Sequence, residues 1–384
     1  MDASAIYDTP ELADGAYLLE AALAAGMNVD LFPRQVMICW HPDDPSTRTS
    51  FVHGVPQGST LSGVTYAQDK RMVRALLQRA GVPSTKGATF SFRGKEAALR
   101  YADRVRYPVT VRMAIDDSIR TPGRVAANRA ELGAAIDDLR RIREDSLASA
   151  TNLRRSAYSL TGLLDPDEDE HGTKLLNRST RVLIERIPVG PKQHVLVIDG
   201  AMVAAIEVSS DADGAPFSRD VTSTLADEHQ DAAIAAAAVV PGLEVAHVIL
   251  ISRRANRLLR RGSYLVHDVS ERLGLDVFEG AKRGSASAIA SRFLTPEPSA
   301  EPLDREDVRR TTNVTVRFEG LTEIDRVAHS LHRIATPVDS DPVHGRLELQ
   351  LGGTTSELSA VLATACTSGI DGSRAMLAQV VQAV

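Results

Sequence analysis

Apolar residues recur every three or four positions between residues 10 and 25. Leu12, Ala16, Leu19 and Leu23 fall on one face and Gly26 follows, which predicts an amphipathic helix. Short strand-like runs at 28–32 and 35–40 come next, so the chain opens as a small α/β unit. Residues 41–50, with Pro42, Asp43, Asp44 and Pro45, read as a turn-rich connection. From Tyr66 the pattern sharpens. Asp69 and Lys70 open a helix whose Met72, Val73, Leu76 and Leu77 share a face; Gly81 ends it and Pro83 prevents continuation. Helices are expected over 96–105 and 129–143, with a strand entered through Pro108 over 107–111. Strands return at 182–186, 194–198 and 202–208, and Asp199-Gly200 between the last two is a two-residue hairpin signal. An alanine-rich helix over 228–240 precedes a strand over 245–251.

Polar stretches divide the chain. Residues 144–180 end in an acidic cluster (Asp165, Asp167, Glu168, Asp169, Glu170) and read as a mobile insertion; residues around 295–310, with Pro296, Pro298 and Pro302, read as a linker. Beyond it Val314, Val316 and Phe318 alternate, as do Leu347, Leu349 and Leu351, with helices over 324–334 and 357–366. The expected organisation is an N-terminal α/β domain over 1–65, a central region over 66–295 carrying the insertion, a linker over 296–310 and a separate β-α-β-α domain over 311–384. A length of 384 residues suits two or three such units at about 150 residues each.

Composition narrows the function classes. Hydrophobic residues are 43% and charged residues 24%, which is globular and excludes a disordered tail. A net charge of −6 and an aromatic content of 4% argue against nucleic acid as a partner. No apolar run reaches the ~18 residues of a membrane span, and Met1-Asp2-Ala3-Ser4 lacks the basic, apolar start of a secretory signal, so the cytoplasm is the expected location. Cys39 and Cys366 are too few and too far apart for a disulfide scaffold, and Cys39, at a strand end, reads as a buried structural thiol. Ten histidines are scattered without a His-Glu-x-x-His spacing. Arg253, Arg254, Arg257, Arg260 and Arg261 make either a solvated helix face or an anion site.

Several short motifs follow one another in the central region. Asp69-Lys70 leads into Ala80-Gly81-Val82-Pro83; then come Tyr107-Pro108-Val109-Thr110-Val111-Arg112, a loop ending in Gly123-Arg124-Val125, and Val182-Leu183-Ile184-Glu185-Arg186. Asp220-Val221-Thr222, Gly242-Leu243-Glu244-Val245-Ala246 and Val277-Phe278-Glu279 complete the series. In order and spacing this resembles the ATP-grasp superfamily, in the branch of cyanophycin synthetase and glutathione-type ligases, over a little more than half of the chain. The resemblance implies an α/β (α+β) fold in which two lobes close on ATP, between a pre-grasp domain and the C-terminal domain. It implies ligation: ATP phosphorylates a carboxylate and an amine attacks the acyl phosphate. Lys70 and Arg112 stand where the family holds phosphates, Arg112 also being the catalytic candidate; Gly123 ends the phosphate loop, Glu185 contacts the nucleotide, and Glu279 is the metal ligand. ATP and magnesium are the implied cofactors and a small amino acid or peptide the implied substrate.

The sequence also departs from the family. Arg112 replaces a lysine by a planar fork. The loop 114–123 holds a single glycine, and its Asp116 and Asp117 would repel a γ-phosphate. Ile249 stands where the family has a metal-binding aspartate, and Ala281 where it has an asparagine. The same residues therefore also suit a catalytically inactive homologue that serves as a structural, assembly or regulatory subunit, as a homo-oligomer or within a multi-protein complex such as a phage-type particle.

Overall fold

Strands from both ends of the chain pair with each other. In the computed structural model, which describes residues 6–7, 10–115, 123–148, 181–186, 190–210, 216–252, 264–294 and 311–382, they form an eight-stranded antiparallel sheet among those residues. Its order is 335–341, 346–354, 311–319, 377–382, 28–32, 36–41, 44–52 and 55–56. The acidic cluster, most of the phosphate loop, the arginine cluster and the linker lie outside the described residues.

The chain divides into two compact units, residues 1–57 with 272–384 and residues 58–271. In the first, alternation buries Val29, Leu31, Met37, Val314, Val316, Phe318, Leu349, Ala378 and Val380 on one face of the sheet. The helices Pro10–Ala24 and Thr355–Cys366 pack on that sheet and on each other, Ala16 meeting Ala360 and Ala363. The C-terminal segment is thus not a separate domain. Val29 faces Val380 and Leu31 faces Ala378 across the pair that joins the termini, and all four are buried. Periodicity reports which face of a strand is apolar, not which distant strand lies beside it. Residues 311–384 expressed alone are therefore expected to stay unfolded. A well-dispersed amide spectrum from that fragment would contradict the shared sheet.

Two local expectations also change. Residues 41–50 are mostly strand (Asp44–Val52): Pro45 sits at its exposed start, and the alternating Thr47, Thr49 and Phe51 carry the strand signal, with Phe51 opposite Met37. Residues 277–279 belong to the helix Leu275–Ala281 rather than a strand. Its first amides, Gly274 and Leu275, donate to the buried Asp14 carboxylate at 3.2 and 2.7 Å, so a distant acid settles what a short apolar run leaves open.

The second unit holds two further antiparallel sheets. Four strands in the order 87–91, 181–186, 109–113 and 124–126 carry the helices Lys95–Val105 and Arg129–Ala148; Leu99, Val111, Leu132, Ile136, Leu139 and Ile184 fill the core between them. Five strands in the order 216–220, 201–210, 192–198, 245–252 and 264–270 form the other, against which Val73, Leu77, Ala232, Ala233 and Ala236 pack from the helices Lys70–Arg79 and Asp227–Ala238. The expected hairpin at Asp199-Gly200 is present, with φ of 49° and 74° at its two turn residues and Ala201 opposite Ile198. This mixed α/β architecture with large antiparallel sheets agrees with the fold class read from the sequence. Among the described residues no helix is long and apolar enough to cross a membrane.

Candidate functional site

Lys70 begins the helix Lys70–Arg79, with Asp69 as N-cap accepting from the Arg71 amide at 3.0 Å. Val73 and Leu77, three and seven residues on, face the five-stranded sheet, so Lys70 shares their buried face and is only 2% exposed. An amine placed there must find partners. Its Nζ donates to the carbonyls of Ala67 and Val269 at 3.1 and 3.3 Å and pairs with the Asp268 carboxylate at 2.9 Å.

Arg112 lies on the strand Val109–Met113, where Val109, Val111 and Met113 point into the helical core. The period of two sends Thr110 and Arg112 to the opposite face. One terminal nitrogen of Arg112 reaches Asp268 at 2.6 Å and the other reaches Glu185 at 3.0 Å. Glu185, on the neighbouring strand Arg181–Arg186, is 1% exposed. Its other oxygen accepts from Arg74 at 2.5 Å and from the Thr85 hydroxyl at 2.9 Å. Arg74, one turn after Lys70, also donates to the Gly87 carbonyl at 3.2 Å.

The result is a chain of alternating charge, Lys70–Asp268–Arg112–Glu185–Arg74, that ties helix and both sheets of this unit together. Its three cations and two carboxylates leave a formal charge of +1. Burial alone would raise the Asp268 pKa, but Arg112 and then Lys70 hold the carboxyl well below the usual carboxylate range. Burial likewise works to lower the Arg112 pKa and is outweighed by Asp268 and Glu185, which raise it.

The sequence-predicted Lys70, Arg112 and Glu185 thus meet, although they come from three separate elements. Gly123 lies beside them and is exposed; a Cβ there would sit 3.6 Å from the Arg112 Cβ, an ordinary contact, so its surroundings do not demand glycine. Glu279 belongs to the first unit, on a helix rather than the expected strand, and its carboxylate accepts from the amides of Gly284 at 2.8 Å and Ala286 at 3.1 Å. Within the second unit Lys70 and Arg112 face Asp268, an acid that the sequence motifs do not mark. A signal existed in the strand-like run Tyr264 to Ser270, with Leu265, Val266 and Val269 around His267-Asp268. Asp268 is also the register partner of Ile249, the position where the resemblance expects a metal-binding aspartate.

The same sheet gathers histidines that looked scattered. His194 Nδ1 and His247 Nε2 lie 3.0 Å apart. Burial, together with the neighbouring His247, pushes the His194 pKa down to about 3; burial pushes His247 down to about 4. Among the described residues no group of three or more His, Cys, Asp or Glu side chains is arranged to hold a metal ion. Cys39 and Cys366 are free and buried, and burial pushes both thiols up to about 12, which leaves little nucleophilic thiolate at neutral pH.

No family model matches this sequence, and no curated protein sequence matches it. Among solved structures, the D-alanine–D-alanine ligase of Bacillus anthracis is similar with a TM-score of 0.40 and 14% identity, over 62% of this chain and 67% of that one. The VanG D-Ala:D-Ser ligase of Enterococcus faecalis gives 0.40 and 15% over 62% of each chain. The ATP-grasp ligase PsnB, in complex with a minimal precursor, gives 0.37 and 18% over 59% of each. The chain therefore spans 59% to 67% of the length of these ligases.

Proposed function

We propose that residues 58–271 form an ATP-grasp nucleotide site and that the chain is an ATP-grasp ligase-like protein, joining a carboxylate to an amine of amino-acid or peptide type. One observation carries this reading: Lys70, Arg112 and Glu185, singled out by motif from distant parts of the sequence, meet in one buried cluster together with Asp268.

The residues fit a magnesium-bound nucleotide. Lys70 and Arg112 are the fixed cations that a polyphosphate needs, and the Arg112 Nε is buried without a hydrogen-bond partner. Asp268 supplies a hard oxygen, and magnesium bound with a nucleotide commonly takes only one or two protein carboxylates. Magnesium bound there would neutralise phosphate charge and polarise the transferring phosphoryl group. Glu185, held by Arg74 and Thr85, orients Arg112 from behind. Arg112 carries a charge that stays fixed at any working pH. Ile249 contributes no second carboxylate, so turnover is expected to be slow, because loss of one pre-organised charge stabiliser typically costs about 100- to 1,000-fold in rate.

Isothermal titration of the full chain with MgATP tests the site. Binding is expected, and Lys70→Met is expected to weaken it at least tenfold while the far-UV spectrum is kept. An absence of heat at millimolar nucleotide overturns the assignment. Binding without any phosphate release on adding amino acids would favour a regulatory subunit that uses nucleotide only as a ligand.

A further inference from the structure

We infer that His194 and His247 form a two-nitrogen site for a transition-metal cation of the zinc, nickel or copper kind, distinct from any magnesium carried by a nucleotide. The inference does not rest on the nucleotide reading, because its ligands are imidazoles and it requires no nucleotide.

The strands bring the two rings together. In the five-stranded sheet Ile249 is the register partner of His194 on one side and of Asp268 on the other, so His194 points to the face that Asp268 occupies. His247 lies two residues before Ile249 on the same strand, and the period of two sends it to that face as well. Val195, Val197, Val248 and Leu250 alternate with these residues and fill the apolar core on the other face. The outcome is that His194 Nδ1 and His247 Nε2 lie 3.0 Å apart, with ring planes inclined by 58°. The strand Tyr264–Ser270 adds His267, whose Nδ1 is buried without a hydrogen-bond partner.

The separation suits coordination. A metal that holds two imidazole nitrogens at about 2.0–2.1 Å keeps them roughly 2.9 Å apart at a right angle and roughly 3.3 Å apart at the tetrahedral angle. The observed spacing falls between these, so the metal sits beside the line joining the nitrogens and the rings need only turn towards it. In the metal-free pair one imidazole donates its N–H to the other. Whichever ring donates moves that proton to its other nitrogen on binding, so both contacting nitrogens present lone pairs and no net proton is lost. Imidazole suits zinc, nickel and copper, whereas magnesium prefers oxygen. No third protein ligand converges among the described residues, so water completes the coordination and an exchangeable ligand can replace it.

The experiment titrates the chelator-stripped full chain with zinc, nickel and magnesium chloride in a calorimeter, each without nucleotide. Zinc and nickel are expected to bind as one tight equivalent that an excess of magnesium does not displace. His194→Gln and His247→Gln are each expected to weaken that binding at least tenfold. The exposed rings of His329 and His332, stacked 5.3 Å apart, are the competing pair. His329→Gln combined with His332→Gln is expected to leave the affinity unchanged. Where a glutamine variant at 194 or 247 fails to fold, oxidation of the wild type by copper and ascorbate, read by peptide mass analysis, locates the metal: oxidised His194 and His247 support the site. Affinity that survives both of those variants, oxidation confined to His329 and His332, or no binding at millimolar zinc and nickel overturns the inference. None of these outcomes bears on MgATP binding, and a failure of MgATP to bind leaves this site standing.

Discussion

Replacing Asp268 with alanine is expected to lower the stability of the second unit by about 3–5 kcal/mol, the cost of removing one partner from a buried ion pair. The carboxylate is 6% exposed and faces two cations, Lys70 at 2.9 Å and Arg112 at 2.6 Å. Its loss strands an ammonium that is 2% exposed with only carbonyl oxygens for company. Arg112 retains Glu185, so Lys70 suffers most. The double variant Lys70→Met with Asp268→Ala is accordingly expected to recover part of the loss, which a double-mutant cycle in urea measures. A single-variant loss below about 1 kcal/mol would show that the chain of charges does not hold the sheets together, in contrast to the buried pairs on which that range is based.

Acid is expected to destabilise this unit well before its carboxylates titrate. His194 and His247 are neutral in the folded protein, with pKa values pushed down to about 3 and about 4. In the unfolded chain both would titrate near 6.5, the ordinary imidazole value. A base whose folded pKa is depressed contributes stability that is fully present above the unfolded pKa. That stability is lost as pH falls from about 6.5 towards the folded values. Over that window the unfolded state binds the extra proton. His247, buried, then contributes a loss of about 1.4 kcal/mol per pH unit, and the partly exposed His194 contributes less. Two imidazoles 3.0 Å apart cannot both charge without repulsion, which sharpens the effect. Thermal melts of the wild type and His247→Gln between pH 7.5 and 4.5 isolate the contribution: the wild-type midpoint should fall more steeply. Parallel curves would mean that His247 is readily protonated in the folded state. Asp276, in the first unit, acts in the opposite sense, because burial and Asp14 raise its pKa to about 6, so its protonation is favoured by folding.

Much of the second unit was legible in the sequence because its signals are local. The helix from Lys70 was marked by its cap, its apolar face and the Gly81 stop; the Asp199-Gly200 hairpin was marked by a turn that only such residues adopt easily. Short motifs surround Lys70, Arg112 and Glu185 and single them out in the sequence, although only the fold brings them together. Asp268 was missed because its meaning depends on what stands opposite, and nothing within the run Tyr264 to Ser270 indicates that two cations face it. Glu279 shows the converse: an acid in a short apolar run looks the same on a strand or, as here, on a helix where it accepts from the amides of Gly284 and Ala286.

By itself, then, the order of residues determined most of the stretches that become helix or strand and where most turns fall. Local sterics, caps and period suffice for those choices. Tertiary structure alone decided that strand 377–382 lies beside strand 28–32, that His194 meets His247, and that Asp268 closes on Lys70 and Arg112. Each of these is a pairing between groups far apart along the chain. Its energy comes from the burial and charge that the two share once together, which no single segment encodes.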